Sequence, residues 1–183
     1  MQLDKKYDSC IKSVIAGEKV TIKEEKTKIS LKALCDFDCI QIDDCVLMSK
    51  QKGEKKCDYL IYSSDGTTHL FELKGTVIDK AFEQLKNTLP LLDAEQDLSE
   101  LVKNRSRVDA YIVSPMQITY PQNISSQKRM LAQKLSKRCS NQERPKNILD
   151  LVKFVKVIPG KKSSKIIQKE DAIICPYGAS LEL

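Results

Sequence analysis

The chain has 183 residues, 41% hydrophobic and 31% charged, with 31 Lys and Arg against 25 Asp and Glu for a formal charge of +6. That length and mix suit one globular domain and exclude a disordered chain, and no apolar run approaches the ~20 residues of a spanning helix. The opening residues, Met1 to Asp8, lack the apolar stretch of a secretory signal, so a cytoplasmic protein with no membrane partner is expected.

Leu3, Tyr7, Cys10, Ile11, Val14 and Ile15 recur at helical spacing and stop at Gly17, which predicts a first helix. Residues 18–36 stay open between a strand, from the alternation of Val20 and Ile22, and a short turn capped at Ser30. Ile40, Ile42 and the apolar run 45–48 predict a strand, followed by a polar turn over 50–56. A second strand is expected from residue 57 to about 62, then a hairpin at Ser64-Asp65-Gly66-Thr67 and a third strand over 68–74. Gly75 breaks that strand, and Thr76 with Asp79 has the spacing of a capping box. Ile78, Ala81, Phe82, Leu85 and Leu89 then make one apolar helix face.

A further helical stretch is expected over about 93–103 and a buried strand over 108–113, closed by Ser114-Pro115. Residues 125–137 read as a basic amphipathic helix with Met130, Leu131 and Leu135 inward, and 148–158 as another apolar segment. The order α, β, β, β, α, β, α, β predicts an α/β fold, a central mixed sheet flanked by helices.

One histidine, His69, excludes zinc sites and nucleases that need several imidazoles. A Ser-His-Asp triad would have to use it, and no Gly-x-Ser-x-Gly elbow supplies the serine, so His69 is expected to pack in or on a strand. Seven cysteines are expected as small buried hydrophobes without a disulfide framework. Cys35, Cys39 and Cys45 are the one cluster to test as metal ligands, although they lack the paired short spacing of a structural zinc site. Gly160-Lys161-Lys162-Ser163 is not a phosphate-binding loop, because Val155 stands where the first glycine belongs.

Charge is uneven. Residues 1–100 hold 15 basic and 19 acidic side chains, 101–169 hold 16 and 3, and 170–183 hold three acids and no base. Such a basic stretch serves either to neutralise the phosphates of a polyanion or to form a solvated face. Arg105, Arg107, Lys128, Arg129, Lys134, Lys137 and Arg138 are the candidates for phosphate contacts, which would position a nucleic acid without specifying its sequence.

Asp58, Glu72 and Lys74 lie on the hairpin. Glu72 and Lys74 are two apart and share a face. A two-residue turn at Asp65-Gly66 would set Asp58 opposite Leu73, and a loop one residue longer would set it opposite Glu72. Two converging carboxylates repel unless a cation sits between them, and Mg²⁺ is satisfied by two carboxylates, a backbone carbonyl such as that of Leu73, and waters.

Asp58, then Glu72-Leu73-Lys74 after a hairpin, then a helix carrying Gln84 in Ala81-Phe82-Glu83-Gln84-Leu85, resembles the PD-(D/E)xK nuclease superfamily. The resemblance covers about residues 40–114 and implies a restriction-endonuclease-like αβββαβ core, with 115–183 as a basic C-terminal elaboration of the same single domain. It implies Mg²⁺ or Mn²⁺ held by Asp58 and Glu72, water activation assisted by Lys74, and support from Gln84. Cys57 stands where the family's name has proline. The further acid that many members carry is not placed; Glu18, Glu24 and Asp36 are candidates.

The implied activity is a metal-dependent endonuclease hydrolysing phosphodiester bonds, of DNA in the first instance, with restriction, phage defence or repair as its setting and a homodimer or partner subunit as an open option. The rival is an inactive nuclease-like fold that binds nucleic acid or assembles with protein. A third reading is a cysteine-based metal or redox protein.

Overall fold

The Asp65-Gly66 hairpin organises the central sheet. In a computed structural model, which describes residues 3–25, 27–47, 55–74, 77–103, 105–115, 123–140, 144–158, 167–168, 172–176 and 179–183, β5 (Tyr59–Ser63) and β6 (Thr67–Leu73) pair antiparallel, with Tyr59 opposite Phe71 and Tyr62 opposite Thr68. The loop is therefore the longer one, Ser64-Asp65-Gly66. Gly66 takes φ +92°, and a Cβ there would lie 2.3 Å from Ser106 Oγ, so both conformation and space require glycine. Asp65 Oδ1 accepts from the Thr67 N–H at 2.8 Å and closes the turn.

Around this hairpin the eight-stranded sheet runs β1 (Ile11–Val14), β4 (Phe37–Gln41), β5, β6, β7 (Arg107–Pro115), β8 (Val152–Ile158), β10 (Ile173–Pro176) and β9 (Ile167–Gln168). β6, β7, β8 and β10 are parallel neighbours and the other pairs antiparallel, so the sheet is mixed and the fold α/β. Helices α1 (Ile78–Ala94) and α3 (Ile124–Ser136) cover one face, and Ile78, Ala81, Phe82, Leu85 and Leu89 all lie in that core, as their spacing predicts. The other face is covered by a three-stranded sheet of β11 (Ser180–Glu182), β3 (Thr27–Lys32) and β2 (Lys19–Glu24). The ambiguous stretch 18–36 is this β2–β3 hairpin. Among the described residues no helix is long and apolar enough to cross a membrane.

Five expectations are corrected. The first helix is a 3-10 turn, Lys5–Cys10, that runs into β1, because Ile11 and Val14 pair with Ile40 and Phe37 and strand pairing outweighs a short helical pattern. The strand expected to reach residue 48 ends at Gln41, and the stretch 93–103 holds the end of α1 and then the single turn α2 (Gln96–Ser99). Met130 is 51% exposed while Leu131 and Leu135 are buried, since the inward face of α3 is set one residue later. Cys45 is joined to Cys10 in a disulfide, a pairing 35 residues apart that local pattern does not show. Thr76, Met48 and the segment Gly160–Ser163 lie outside the described residues; Asp79 accepts a hydrogen bond from Gln127 at 2.7 Å, and Val77 caps α1 without a side-chain bond.

Candidate active site

β5 and β6 carry Asp58 and Glu72 to the same end of the sheet. The pairing of Tyr59 with Phe71 brings Glu72 level with Asp58, as the longer loop predicts. The Asp58 N–H donates to Phe71 O at 3.1 Å, an offset of one residue where the strand begins, and this turns the Asp58 carboxylate towards the end of β6. There Asp58 Oδ2 accepts from the Leu73 N–H at 2.6 Å. Glu72 shares the α1 side of β6 with Leu70 and is 0% exposed. Lys74 Nζ stands 2.5 Å from Glu72 Oε1, off hydrogen-bonding geometry, and Glu72 Oε2 is buried with no hydrogen bond.

Burial dominates the electrostatics. It pushes Glu72 up to about 9, with the Asp58 charge adding to the rise and Lys74 opposing it. Asp58 is pushed up to about 7, again by burial first, against the Leu73 N–H and Lys74. Glu24 and Asp43 raise Asp58 further. Of the three acids considered from sequence, Glu24 therefore comes into electrostatic reach. Glu18 and Asp36 do not, being bonded to the backbone N–H groups of Ile15 and Ala16.

Asp43 is a site residue the sequence did not reveal. It lies in the turn after β4, where the Ile42 N–H donates to Asp58 O at 2.9 Å, and its charge acts on both carboxylates. Lys56 was equally hidden, because it closes a lysine-rich run that reads as solvated. Only 1% of it is exposed, and its ammonium lies 3.5 Å from Asp43 Oδ1.

α1 fixes the approach to Asp58. Gln84 Nε2 donates to Lys56 O at 2.7 Å, and Thr88 Oγ1 accepts from the Cys57 N–H at 2.7 Å while donating to Gln84 O. Gln84 thus supports the site through the backbone two residues before Asp58; it is a positioning residue. From the opposite face, Thr27 Oγ1 donates to Lys74 O at 3.2 Å and the Tyr59 hydroxyl to Lys23 O at 3.0 Å, which pins the β2–β3 turn at the rim.

No family model, curated protein or solved structure matches the chain. What the site can do is therefore judged on its own donors. Among the described residues no three of His, Cys, Asp and Glu are grouped to hold a metal, and Cys35, Cys39 and Cys45 do not form such a group. Asp58 and Glu72 still offer hard oxygen, one atom of it buried and unbonded. One or two carboxylates with waters are a normal protein share for Mg²⁺, so the donor set fits that ion.

The basic candidates divide. Arg105 is structural: its guanidinium stacks on Tyr62 at 3.9 Å and donates to Thr68 Oγ1, Ser63 O and Thr67 O, clamping the hairpin. Arg107 pairs with Asp109 at 2.8 Å, and Arg138 with Asp93 at 2.5 Å. Lys128 lies 5.6 Å from the Phe154 ring centre. Arg129 and Lys134 on α3, and Lys137 at its C-terminal cap, are exposed.

His69 packs, as expected, but in a polar pocket three residues before Glu72. It meets Tyr111 edge-on, and its Nδ1 is buried without a hydrogen bond, 3.9 Å from Asp109 Oδ2. Asp109 is held by Arg107 and by Lys153, each at 2.8 Å. Burial lowers His69 to about 4 against an ordinary 6.5. Between those values the unfolded chain binds a proton that the native state refuses, so stability falls as pH drops from about 6.5 towards 4, by on the order of 3 kcal/mol. Urea unfolding at pH 7 and pH 4.5 should show a smaller acid loss for His69→Gln than for wild type; equal losses would remove His69 as the cause.

Proposed function

We propose that the protein is a metal-dependent nuclease of the PD-(D/E)xK type, with a restriction-endonuclease-like core and DNA as its first substrate class. The observation that carries the reading is the meeting of Asp58, Glu72 and Lys74 at one end of β5 and β6, with Glu72 buried and one of its oxygens unbonded. Asp58 and Glu72, with a backbone carbonyl such as that of Leu73, would hold a divalent cation of the Mg²⁺ or Mn²⁺ class. When bound, that ion polarises a phosphoryl oxygen and lowers the pKa of a coordinated water.

The chain's own groups supply the rest. Lys74, beside Glu72 and partly exposed, orients the attacking water or stabilises the negative charge that develops on phosphorus oxygens. The Leu73 N–H fixes one Asp58 oxygen and leaves the other for the ion. Gln84 and Thr88 hold the backbone before Asp58.

One observation favours a second reading, an inactive nuclease-like module that binds nucleic acid or protein: the described residues contain no third metal-ligating side chain grouped with Asp58 and Glu72. A nuclease panel separates the two. Single- and double-stranded DNA and RNA incubated with Mg²⁺, Mn²⁺ or EDTA should show cleavage with metal alone. Every substrate left intact with both metals would overturn the nuclease and leave the module.

A further inference from the structure

We propose that the outer face of the β2–β3 hairpin docks the phosphate backbone of a nucleic-acid duplex, an inference that rests on the nuclease reading and names where its substrate is held. Val20, Ile22, Ile29 and Leu31 point into the molecule, so strand alternation turns Lys19, Thr21 and Lys23 of β2 and Lys28, Ser30 and Lys32 of β3 outward. The register sets Lys19 opposite Lys32, Thr21 opposite Ser30 and Lys23 opposite Lys28. Two of these three rungs are lysine against lysine, which gathers four ammonium-bearing side chains on one face. A polyanion lying on the face gains by counterion release.

The dimensions suit a tract of phosphates. The lysine rungs are four residues apart, about 13 Å. Between them Thr21 Oγ1 and Ser30 Oγ lie 3.1 Å apart, hydroxyls able to bond phosphate oxygens. This middle rung opens into a groove of about 230 Å³ lined also by Val157, Cys175 and Pro176. Glu24, exposed at the end of β2, lies on the Ile22 side of the strand and acts electrostatically on Asp58, while Glu182 of β11 pairs with Lys32 Nζ at 2.9 Å. The ladder also begins at the site: Tyr59 bonds the Lys23 carbonyl, and Thr27, next to Lys28, bonds the Lys74 carbonyl.

The test is fluorescence anisotropy of a labelled DNA duplex with the full chain in EDTA, at several NaCl concentrations. Lys19→Ala/Lys23→Ala/Lys28→Ala/Lys32→Ala should bind at least about tenfold more weakly, and its salt slope should shrink by about 3.6, since each neutralised phosphate contributes roughly 0.9. Arg129→Ala/Lys134→Ala/Lys137→Ala on α3 should keep the wild-type slope. A melting temperature no lower than wild type shows the ladder variant folded. Wild-type affinity and slope in that variant would overturn the proposal, as would wild-type binding to phosphatidylserine vesicles but not to the duplex at one ionic strength. Cleavage by wild type with unaltered binding by the ladder variant defeats the docking surface alone; ladder-dependent binding without cleavage defeats the nuclease reading alone.

Discussion

Glu72→Gln should abolish metal-dependent cleavage, by about a thousandfold or more, while the protein stays folded. The substitution keeps the volume of a side chain that is 0% exposed, and it removes one of the two carboxylates available to a cation. Its stability should move the other way. Glu72 is raised to about 9 from an ordinary 4.5, so between those values the native state keeps a proton that the unfolded chain releases. Without metal, wild-type stability therefore falls as pH rises through that window, and glutamine removes this slope. Melting curves in EDTA at pH 6 and pH 8.5 should show the variant overtaking wild type at the higher pH. Full cleavage by Glu72→Gln would end the proposed chemistry, whatever the melting curves show.

The second large effect is expected at Lys74. Lys74→Ala should cut the rate by about 10²- to 10³-fold, the range for losing one positioned charge at a developing oxyanion. It should also change the pH profile, because Lys74 is the cation that lowers the affinity of Glu72 for its proton. With the ammonium gone, Glu72 holds that proton to higher pH, so residual activity should peak at more alkaline pH than wild type. Lys74→Arg keeps the charge and should retain the wild-type profile with a reduced rate, since the planar guanidinium cannot place a water as an ammonium does. Rates measured from pH 6 to 9.5 on one substrate check all three proteins. A pH profile in Lys74→Ala identical to wild type would show that Lys74 and Glu72 do not act together.

The two effects meet at a constraint the pair places on the fold. Two carboxylates and a lysine at the end of a buried strand are unfavourable in an apolar interior, and a chain under selection for stability alone would place apolar side chains there. Here β6 is buried throughout from Thr68 to Leu73 with Glu72 among its apolar neighbours. Helix α1 contributes two polar side chains, Gln84 and Thr88, to hold the backbone of Lys56 and Cys57 just before Asp58.

Much of this was legible in the residues. Asp65-Gly66 between two β-rich runs specified the hairpin, and the helical spacing from Ile78 to Leu89 specified the face that packs on it, because both signals are local and both periods are unambiguous. Asp58, Glu72 and Lys74 followed from them. Lys56 did not, because a lysine at the end of a lysine-rich run reads as solvated until packing encloses it. Arg105, Arg107 and Arg138 show the converse: charge alone offers them to phosphates, and folding gives each a partner more than 30 residues away or a buried acid on its own strand.

The sequence by itself determined the α/β class, the central hairpin and its helix, and the three side chains proposed for chemistry, since each depends on alternation or spacing within some twenty residues. Tertiary structure alone decided that the first segment is a strand, that Cys10 meets Cys45, and that Asp43 and Glu24 come within reach of Asp58. It also turned the lysines of β2 and β3 into one outward ladder. These outcomes depend on pairing between segments far apart in the chain, and a strand's partner, unlike its period, is chosen by the packing of the whole sheet.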